Sequence, residues 1–259
     1  MIVYGFFFHL DRKIQAANYQ LPSLHTEELT WTEVRQAMDR GFKTIIIPTG
    51  GTEQNGPHMV LGKHNYVVRY TSEKVAQELG KTLVAPVISY VPQGELEPEP
   101  TLHLRYPGTV GIPADVYESV LEHAARSYKS QGFKKIIFLG DSFGNQDGQN
   151  NVAETLSKKW QSENIKVIHV ADYYQNNNQF ETLLSQGFSN EEIGYHAGIR
   201  DTSEIMYVYP EGFRQNPVLL DAVNDYGYSG KPDKASDEIG KKMIDLKVKS
   251  AVKAIREYR

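Results

Sequence analysis

A glycine-rich loop carries three side chains suited to acid–base or metal chemistry. The apolar run Ile45-Ile46-Ile47 leads into Gly50-Gly51-Thr52-Glu53, and His58 and His64 follow shortly after it. A carboxylate and two imidazoles can hold a divalent ion or move protons at a reacting bond. Because the sites of α/β enzymes lie in loops at the carboxyl ends of strands, we expect this loop to carry the chemistry.

A second group of candidates follows another apolar run. Asp141 and Ser142 come directly after the run 136–139. They can cap the next helix, but polar residues at strand ends of parallel sheets are often site residues. Ser142 is a candidate nucleophile, because a Ser, Asp and His set is chemically possible, although Gly140-Asp141-Ser142-Phe143-Gly144 matches the Gly-x-Ser-x-Gly elbow only in part.

The candidate residues also have structural interpretations. Glu53 can accept backbone N–H groups of the glycine turn, and His58 is favoured as an orienting hydrogen-bond residue. His64 can mark the entry to the following helix, with Asn65 as the N-cap residue. Asp201 can cap a helix together with Thr202 and Ser203. These alternatives stay open at this stage.

Composition limits the class of protein. The chain has 259 residues, of which 40% are hydrophobic and 23% charged, enough for one large α/β core. A net charge of -4 and a pI of about 6.1 give no electrostatic case for nucleic acid or an anionic membrane as a partner. Cysteine is absent, so any metal must be held by His, Asp, Glu, Asn or water.

The N-terminal run Met1–Leu10 is apolar. The small-residue stretch Gln15–Ala17 loosely resembles the cleavage site of a signal peptide, but the charged residues Asp11–Lys13 lie between it and the apolar run, and a signal peptide normally has neutral residues there. We therefore interpret the run as a first strand or packed arm. Residues 1–27 are thus predicted to form an arm or strand, and residues 28–259 one domain. The predicted location is cytoplasmic; if the apolar run is the remnant of a signal peptide, the location is periplasmic or extracellular instead. No apolar run in the sequence reaches the roughly 20 residues that a membrane span needs.

Hydrophobic periodicity and capping signals predict alternating helices and strands. A capping box, Thr30-x-x-Glu33, begins the first helix. The predicted strands are 44–48, 82–88, 135–139 and 165–170. Three predicted helices end near Gly41, Gly80 and Gly132, and a fourth covers 152–160. A fifth runs from Asp237 to the C-terminus, and we interpret its charged residues as a solvated face. This order predicts a single-domain α/β/α sandwich with a mainly parallel sheet, and 94–100 is an extended excursion suited to an inter-subunit arm or a lid.

The first loop resembles the creatininase (creatinine amidohydrolase) family, whose members share Glu-x-His-Gly-x-His-Leu-Pro-Leu-x-x-Asp after a strand. The matching positions are Glu53, Gly56, Pro57, His58 and Leu61. Three further segments extend the resemblance over roughly residues 28–212: Leu104–Val110, Gly140–Asn145 and His196–Ser203. The resemblance implies hydrolysis of a C–N bond in a small cyclic or linear amide, in a homo-oligomer that in the family is commonly a hexamer.

The resemblance also implies five metal-ligand positions. Glu53 is kept, Asn55 and Ser142 replace histidines, His64 replaces a bridging Asp, and Asp201 replaces a Glu. Because a neutral His64 cannot bridge two ions, we expect one Zn²⁺, Mn²⁺ or Fe²⁺ rather than a pair. The implied ligands are Glu53, His64 and Asp201, with Asp141 as a substitute ligand.

The resemblance further implies that His196 lies near the substrate, where it would shuttle a proton to the leaving nitrogen. Arg200 is expected to pair with a carboxylate. Backbone amides of the Gly50-Gly51 or Gly140 turns are expected to stabilise the oxyanion. Two alternatives remain: a metal-free binding protein that keeps the fold without catalysis, and a metal-free serine hydrolase that uses Ser142.

Overall fold

The structure is a computed structural model, and it describes residues 21–220 and 225–258. Residues 1–20 of the predicted N-terminal arm or strand (1–27), including the run that could be a signal peptide, lie outside these residues. No helix in the described ranges combines the length and apolar character needed to cross a membrane.

Four parallel strands form the central sheet in the order β2-β1-β3-β4. They are β1 (Thr44–Thr49), β2 (Thr82–Val84), β3 (Lys135–Gly140) and β4 (Lys166–His169). The two central strands, β1 and β3, are buried almost throughout, as expected for apolar runs covered on both faces. Because successive strands are added on opposite sides of β1, the chain has a topological switch point between β1 and β3, and a crevice forms outside their carboxyl ends.

The α-helices lie on both faces of this sheet. They are α1 (Trp31–Asp39), α2 (Lys63–Leu79), α3 (Ala114–Gln131), α4 (Gln146–Lys159), α5 (Gln179–Ser185), α6 (Asn190–Ile193), α7 (Ile199–Val208) and α8 (Asp237–Glu257). Ile45 and Ile47 pack with α1, α3 and α4, whereas Ile46 packs with α2 and α8. This alternation along one strand gives two apolar layers. The predicted α/β/α sandwich is confirmed.

Two predicted boundaries differ from the structure. The second strand ends at Val84 instead of continuing to residue 88, because Pro86 has no N–H to donate to a ladder; Ile88 rejoins the sheet edge through a single bridge to Thr49. Helix α2 begins after Gly62, so Asn65 is not its N-cap. Instead, Asn65 Oδ1 accepts a hydrogen bond from the N–H of Gly51 at 3.0 Å and ties the glycine turn to the helix.

The excursion at 94–100 is mostly exposed and closes on itself. Thr101 N–H donates to the Glu95 carbonyl at 2.9 Å, and Glu95 N–H donates to Thr101 Oγ1 at 2.8 Å. Gly94 at its base lines the crevice described next. Its role as an arm or a lid stays a prediction.

Candidate active site

A cleft of about 380 Å³ opens at the carboxyl ends of β1 and β3. Its walls include Glu53 and His64 from the loop after β1, Ser142 from the loop after β3, and His196 and Asp201 from the segment leading into α7. A larger groove of about 740 Å³ between α2 and α8 is lined mostly by charged and polar side chains. The smaller cleft is the candidate active site, because chain segments that are distant in sequence bring ionisable groups together there.

His64 connects two carboxylates at the base of this cleft. Its Nε2 lies 2.9 Å from Glu53 Oε1, and its Nδ1 lies 3.0 Å from Asp141 Oδ2. Burial and the nearby Lys63 oppose a charge on the ring, but the two carboxylates hold the pKa of His64 above its ordinary value. His64 is therefore an imidazolium that donates from both nitrogens. In this arrangement neither nitrogen has a lone pair for an ion.

Asp141 is fully buried behind His64 and accepts two further hydrogen bonds. Its Oδ1 accepts from Lys247 Nζ at 2.6 Å and from the Tyr173 hydroxyl at 2.8 Å. Lys247 Nζ also donates to Glu204 Oε2 at 3.0 Å. Burial alone would lower the pKa of Lys247, but these two carboxylates raise it above its ordinary value. Lys247 is thus an exception to the solvated face predicted for the C-terminal helix.

Asp201 lies in the first turn of α7 and also has cationic neighbours. Its Oδ2 accepts from the N–H of Ala197 at 2.8 Å, and its Oδ1 lies 3.2 Å from Arg200 Nε and 3.6 Å from Lys63 Nζ. Burial would raise the pKa of Asp201, but Lys63 and Arg200 hold it well below its ordinary value. Arg200 was expected to pair with a carboxylate, and its partner is its direct neighbour.

Formal charges in and around the cleft are balanced by side chains alone. The carboxylates are Glu53, Asp141, Asp201 and Glu204, and the cations are Lys63, His64, Arg200 and Lys247. Each carboxylate is 5% exposed or less. Burying so many carboxylates is costly unless each is paired, and here each one has a cationic partner on the same chain.

His196 is neutral, and one of its ring nitrogens has no hydrogen-bond partner among the described residues. Its Nε2 lies 2.9 Å from the backbone carbonyl of Gln54, so this nitrogen carries the proton and donates it. Burial, and then the positive charge of Lys63, lower the pKa of His196 to about 4. The lone pair is therefore on Nδ1, which lies 3.8 Å from Glu53 Oε1.

His103 stacks at a tilt against His196, with 4.4 Å between the ring centroids. The Gln54 amide fixes its tautomer. Gln54 Nε2 donates to the Gly227 carbonyl at 2.7 Å, and its second hydrogen has two ring nitrogens within reach, His103 Nδ1 at 2.9 Å and His196 Nε2 at 3.1 Å. Since His196 Nε2 already carries a proton, His103 Nδ1 is the acceptor, and the proton of His103 is on its Nε2. Burial lowers the pKa of His103, which favours this neutral form.

Glu53, His103 and His196 form one candidate metal-binding group, since each offers a ligand atom within 4.8 Å of the others. Of these three residues, the sequence alone indicates Glu53 as a ligand and His196 as a proton shuttle, but not His103. The signal for His103 was its place beside the segment Leu104–Val110, which resembles a family motif. The other sequence-based ligands, His64, Asp141 and Asp201, lie in the same place but are engaged with one another or with cations.

The remaining candidates have distinct positions. His58 Nε2 lies 3.0 Å from the Ala197 carbonyl and 3.2 Å from Thr202 Oγ1, which fits the orienting role that was favoured for it. Ser142 lines the cleft, but no histidine ring of residues 21–220 or 225–258 hydrogen-bonds its hydroxyl. The N–H groups of Gly50 and Gly51 donate to Ile88 and Asn65, so neither is available to an oxyanion in this structure.

Comparison with known proteins identifies relatives of the whole domain. A family model described as creatinine amidohydrolase matches residues 27–255. The 3-dehydro-scyllo-inosose hydrolase of Thermotoga maritima is 25% identical over 221 residues, covering 83% of this chain but 65% of that protein. The creatinine amidohydrolase of Pseudomonas putida is 23% identical over 209 residues, covering 79% of this chain and 77% of that protein.

Solved structures support the same fold. The structure described as "Creatininase Mn" superposes with a TM-score of 0.70 at 20% identity, covering 91% of this chain and 98% of the other. A crystal structure of creatinine amidohydrolase superposes with a TM-score of 0.69, also at 20% identity, covering 90% of this chain and 97% of the other. A further similar structure is a mutant creatininase described as "Zn-Zn type". Together with the match over residues 27–255, these findings show that the chain belongs to the creatininase family of hydrolases.

Proposed function

We propose that the protein hydrolyses a C–N bond of a small amide, lactam or formamide in this cleft, with the help of one divalent ion. The observation that carries the proposal is the convergence of Glu53, His103 and His196 within 4.8 Å, in a cleft of small-molecule size. The names of two relatives, a creatinine amidohydrolase and a mycofactocin precursor peptide peptidase, support amide hydrolysis as the reaction class. The name of the inosose hydrolase specifies hydrolysis but no amide.

The donor set fits one ion but not two. Glu53 offers a carboxylate and His196 an unprotonated Nδ1 held in place by the Gln54 carbonyl, as is typical of metal-bound histidines. His103 would supply the third ligand atom, because one of its ring nitrogens lies within 4.8 Å of the ligand atoms of Glu53 and His196. A bound divalent ion supplies Lewis-acid polarisation of a carbonyl and lowers the pKa of water. Zn²⁺, Mn²⁺ and Fe²⁺ suit this mixed N/O set.

His64 supports the single-ion proposal. The family pattern has a bridging Asp at this position, whereas here an imidazolium lies between the carboxylates of Glu53 and Asp141. The positive ring pairs with both acids in the way that a second cation would. It also fixes one oxygen of Glu53, so that the orientation of this carboxylate is set before any ligand binds.

The role of His196 distinguishes two versions of the mechanism. If His196 is a ligand, removing its ring should remove the ion as well. If it is the proton shuttle predicted from sequence, removing its ring should leave the metal content unchanged. The variant His196→Asn separates these roles by elemental analysis and turnover together. We expect loss of the ion, because Nδ1 faces Glu53.

Elemental analysis after mild dialysis tests the proposal as a whole. We expect about one divalent ion per chain in the wild type and none in Glu53→Gln. His123→Asn is a suitable control, because His123 is exposed on α3, away from the cleft. Turnover would be screened with lactams, cyclic ureas, hydantoins and formamides. Two tightly held ions per chain, or an unchanged metal content in Glu53→Gln, would contradict the assignment. The expected homo-oligomer stays a prediction, which light scattering would test.

A further inference from the structure

We infer that Lys63 and Gln93 bind a carboxylate of the substrate, so that the substrate is a small amide bearing an acid group near the scissile bond. The inference rests on the proposed function for the reaction. The binding of the acid group itself depends only on the side chains described below.

Lys63 is a buried cation with an incomplete set of partners. Its side chain is 2% exposed, and it lines the cleft. The nearest carboxylate oxygen, Asp201 Oδ1, lies 3.6 Å from Nζ, beyond hydrogen-bond distance. Among the described residues, this 3.6 Å ion pair is the one polar contact of Nζ.

Lys247 shows what a saturated buried lysine looks like in the same molecule. Its Nζ donates at 2.6 Å to Asp141 and at 3.0 Å to Glu204. Both lysines are buried to a similar degree, at 3% exposure for Lys247 and 1% for Lys63. An ammonium group has three N–H donors. Those of Lys63 are therefore available to a ligand that binds in the cleft.

Gln93 provides a second and independent observation. It lines the same cleft, is 5% exposed, and its Nε2 has no hydrogen-bond partner among the described residues. A buried amide donor without a partner costs free energy that a ligand acceptor would recover. Lys63 and Gln93 are both donors, one of them charged. An anionic group with two acceptor oxygens matches this pair, and a carboxylate has that chemistry.

The acid group also fits the positions of the reacting groups. Lys63 lies directly before His64 in the chain, and it lines the cleft together with Glu53 and His196. A carboxylate on Lys63 and Gln93 would therefore place a neighbouring amide at the proposed catalytic groups. Phe143 and Tyr195, which are 76% and 79% exposed at the edge of the cleft, leave room for a substituent beyond the amide.

Calorimetric binding of two matched probes tests the inference without turnover. N-acetylglycine carries the carboxylate, and N-acetylglycinamide replaces it with a neutral amide of nearly the same size. With metal-free wild-type protein, we expect N-acetylglycine to bind about 10- to 100-fold more tightly, the range for a hydrogen bond to a charged group. Lys63→Met should remove this preference, and Gln93→Leu should reduce it several-fold.

The controls keep the outcomes distinct. Lys241→Met removes an exposed lysine paired with Asp245 and should leave the preference unchanged. If Lys63→Met fails to fold, the wild-type comparison and Gln93→Leu still decide. Equal affinity of the wild type for both probes would overturn the inference. A carboxylate preference in a protein that hydrolyses no amide and binds no ion would instead retain the inference and refute the proposed function.

Discussion

Replacing Lys247 with methionine should strongly destabilise the fold. Its Nζ is buried against Asp141 and Glu204, which are 0% and 1% exposed. Methionine keeps most of the volume but removes the positive charge and three donors. The carboxylate of Asp141 keeps its hydrogen bonds from His64 and Tyr173, whereas Glu204 keeps, among the residues that the structure describes, only the one from Gln179 at 2.6 Å.

The magnitude follows from the loss of one partner of a buried ion pair. Such a loss costs about 3 to 5 kcal/mol, because a charge stays buried without compensation. For a domain of this size, each kcal/mol lowers the melting temperature by roughly 2 to 4 °C. We therefore expect the melting temperature of Lys247→Met to fall by about 6 to 20 °C in a thermal melt, with a matching loss in urea unfolding.

A matched control and a double variant make this test specific. Lys241→Met removes a lysine whose partner Asp245 is 62% exposed, and it should leave the melting temperature close to that of the wild type. Adding Glu204→Gln to Lys247→Met should recover part of the loss, since the unpaired charge is removed with its partner. If Lys247→Met costs no more than the surface control, the described network does not stabilise the folded state.

Three further predictions concern other parts of the molecule. Ser142→Ala should retain activity, and the wild type should not react with a fluorophosphonate, because no histidine of the described residues activates the hydroxyl; labelling of Ser142 would restore the serine hydrolase alternative. Gly240→Ala should cost about 3 kcal/mol in urea unfolding, since a Cβ would lie 1.9 Å from the Ser203 carbonyl oxygen. The free energy of unfolding should fall as the pH is lowered from about 6.5 towards 4, because unfolded His196 binds a proton that the folded ring, with a pKa of about 4, does not. If the free energy of unfolding of His196→Asn fell as steeply with pH as that of the wild type, this explanation would be wrong.

Local sequence signals predicted the fold well. The capping box at Thr30 is present, with Thr30 Oγ1 accepting from Glu33 N–H and the Glu33 carboxylate accepting from Thr30 N–H. The apolar runs in β1 and β3 are continuous, so their burial on both faces could be read directly. Because carboxyl ends of parallel strands meet at one edge, the sequence also indicated that Glu53, His64 and Asp141 would lie together.

The contacts within the site could not be predicted in the same way. Sequence order does not show that Lys247, on the last helix, reaches Asp141 across the domain. Hydrophobic periodicity shows on which face of a helix a lysine lies, but the neighbouring element decides whether that face is exposed to solvent. His103 was missed for a similar reason, since its loop has no regular pattern and meets His196 only in the folded chain.

The balance of buried charges makes substitutions in this site interdependent in evolution. Changing His64 to the family's aspartate would replace a positive side chain with a negative one beside Glu53 and Asp141. An added ion could offset that change only if Lys247 no longer occupied Asp141 and Lys63 no longer lay beside Asp201. Neither change is tolerable alone, so the two forms of the site are separated by steps that must occur together. Among close relatives, lysines at these two positions should therefore appear or disappear along with the histidine at position 64.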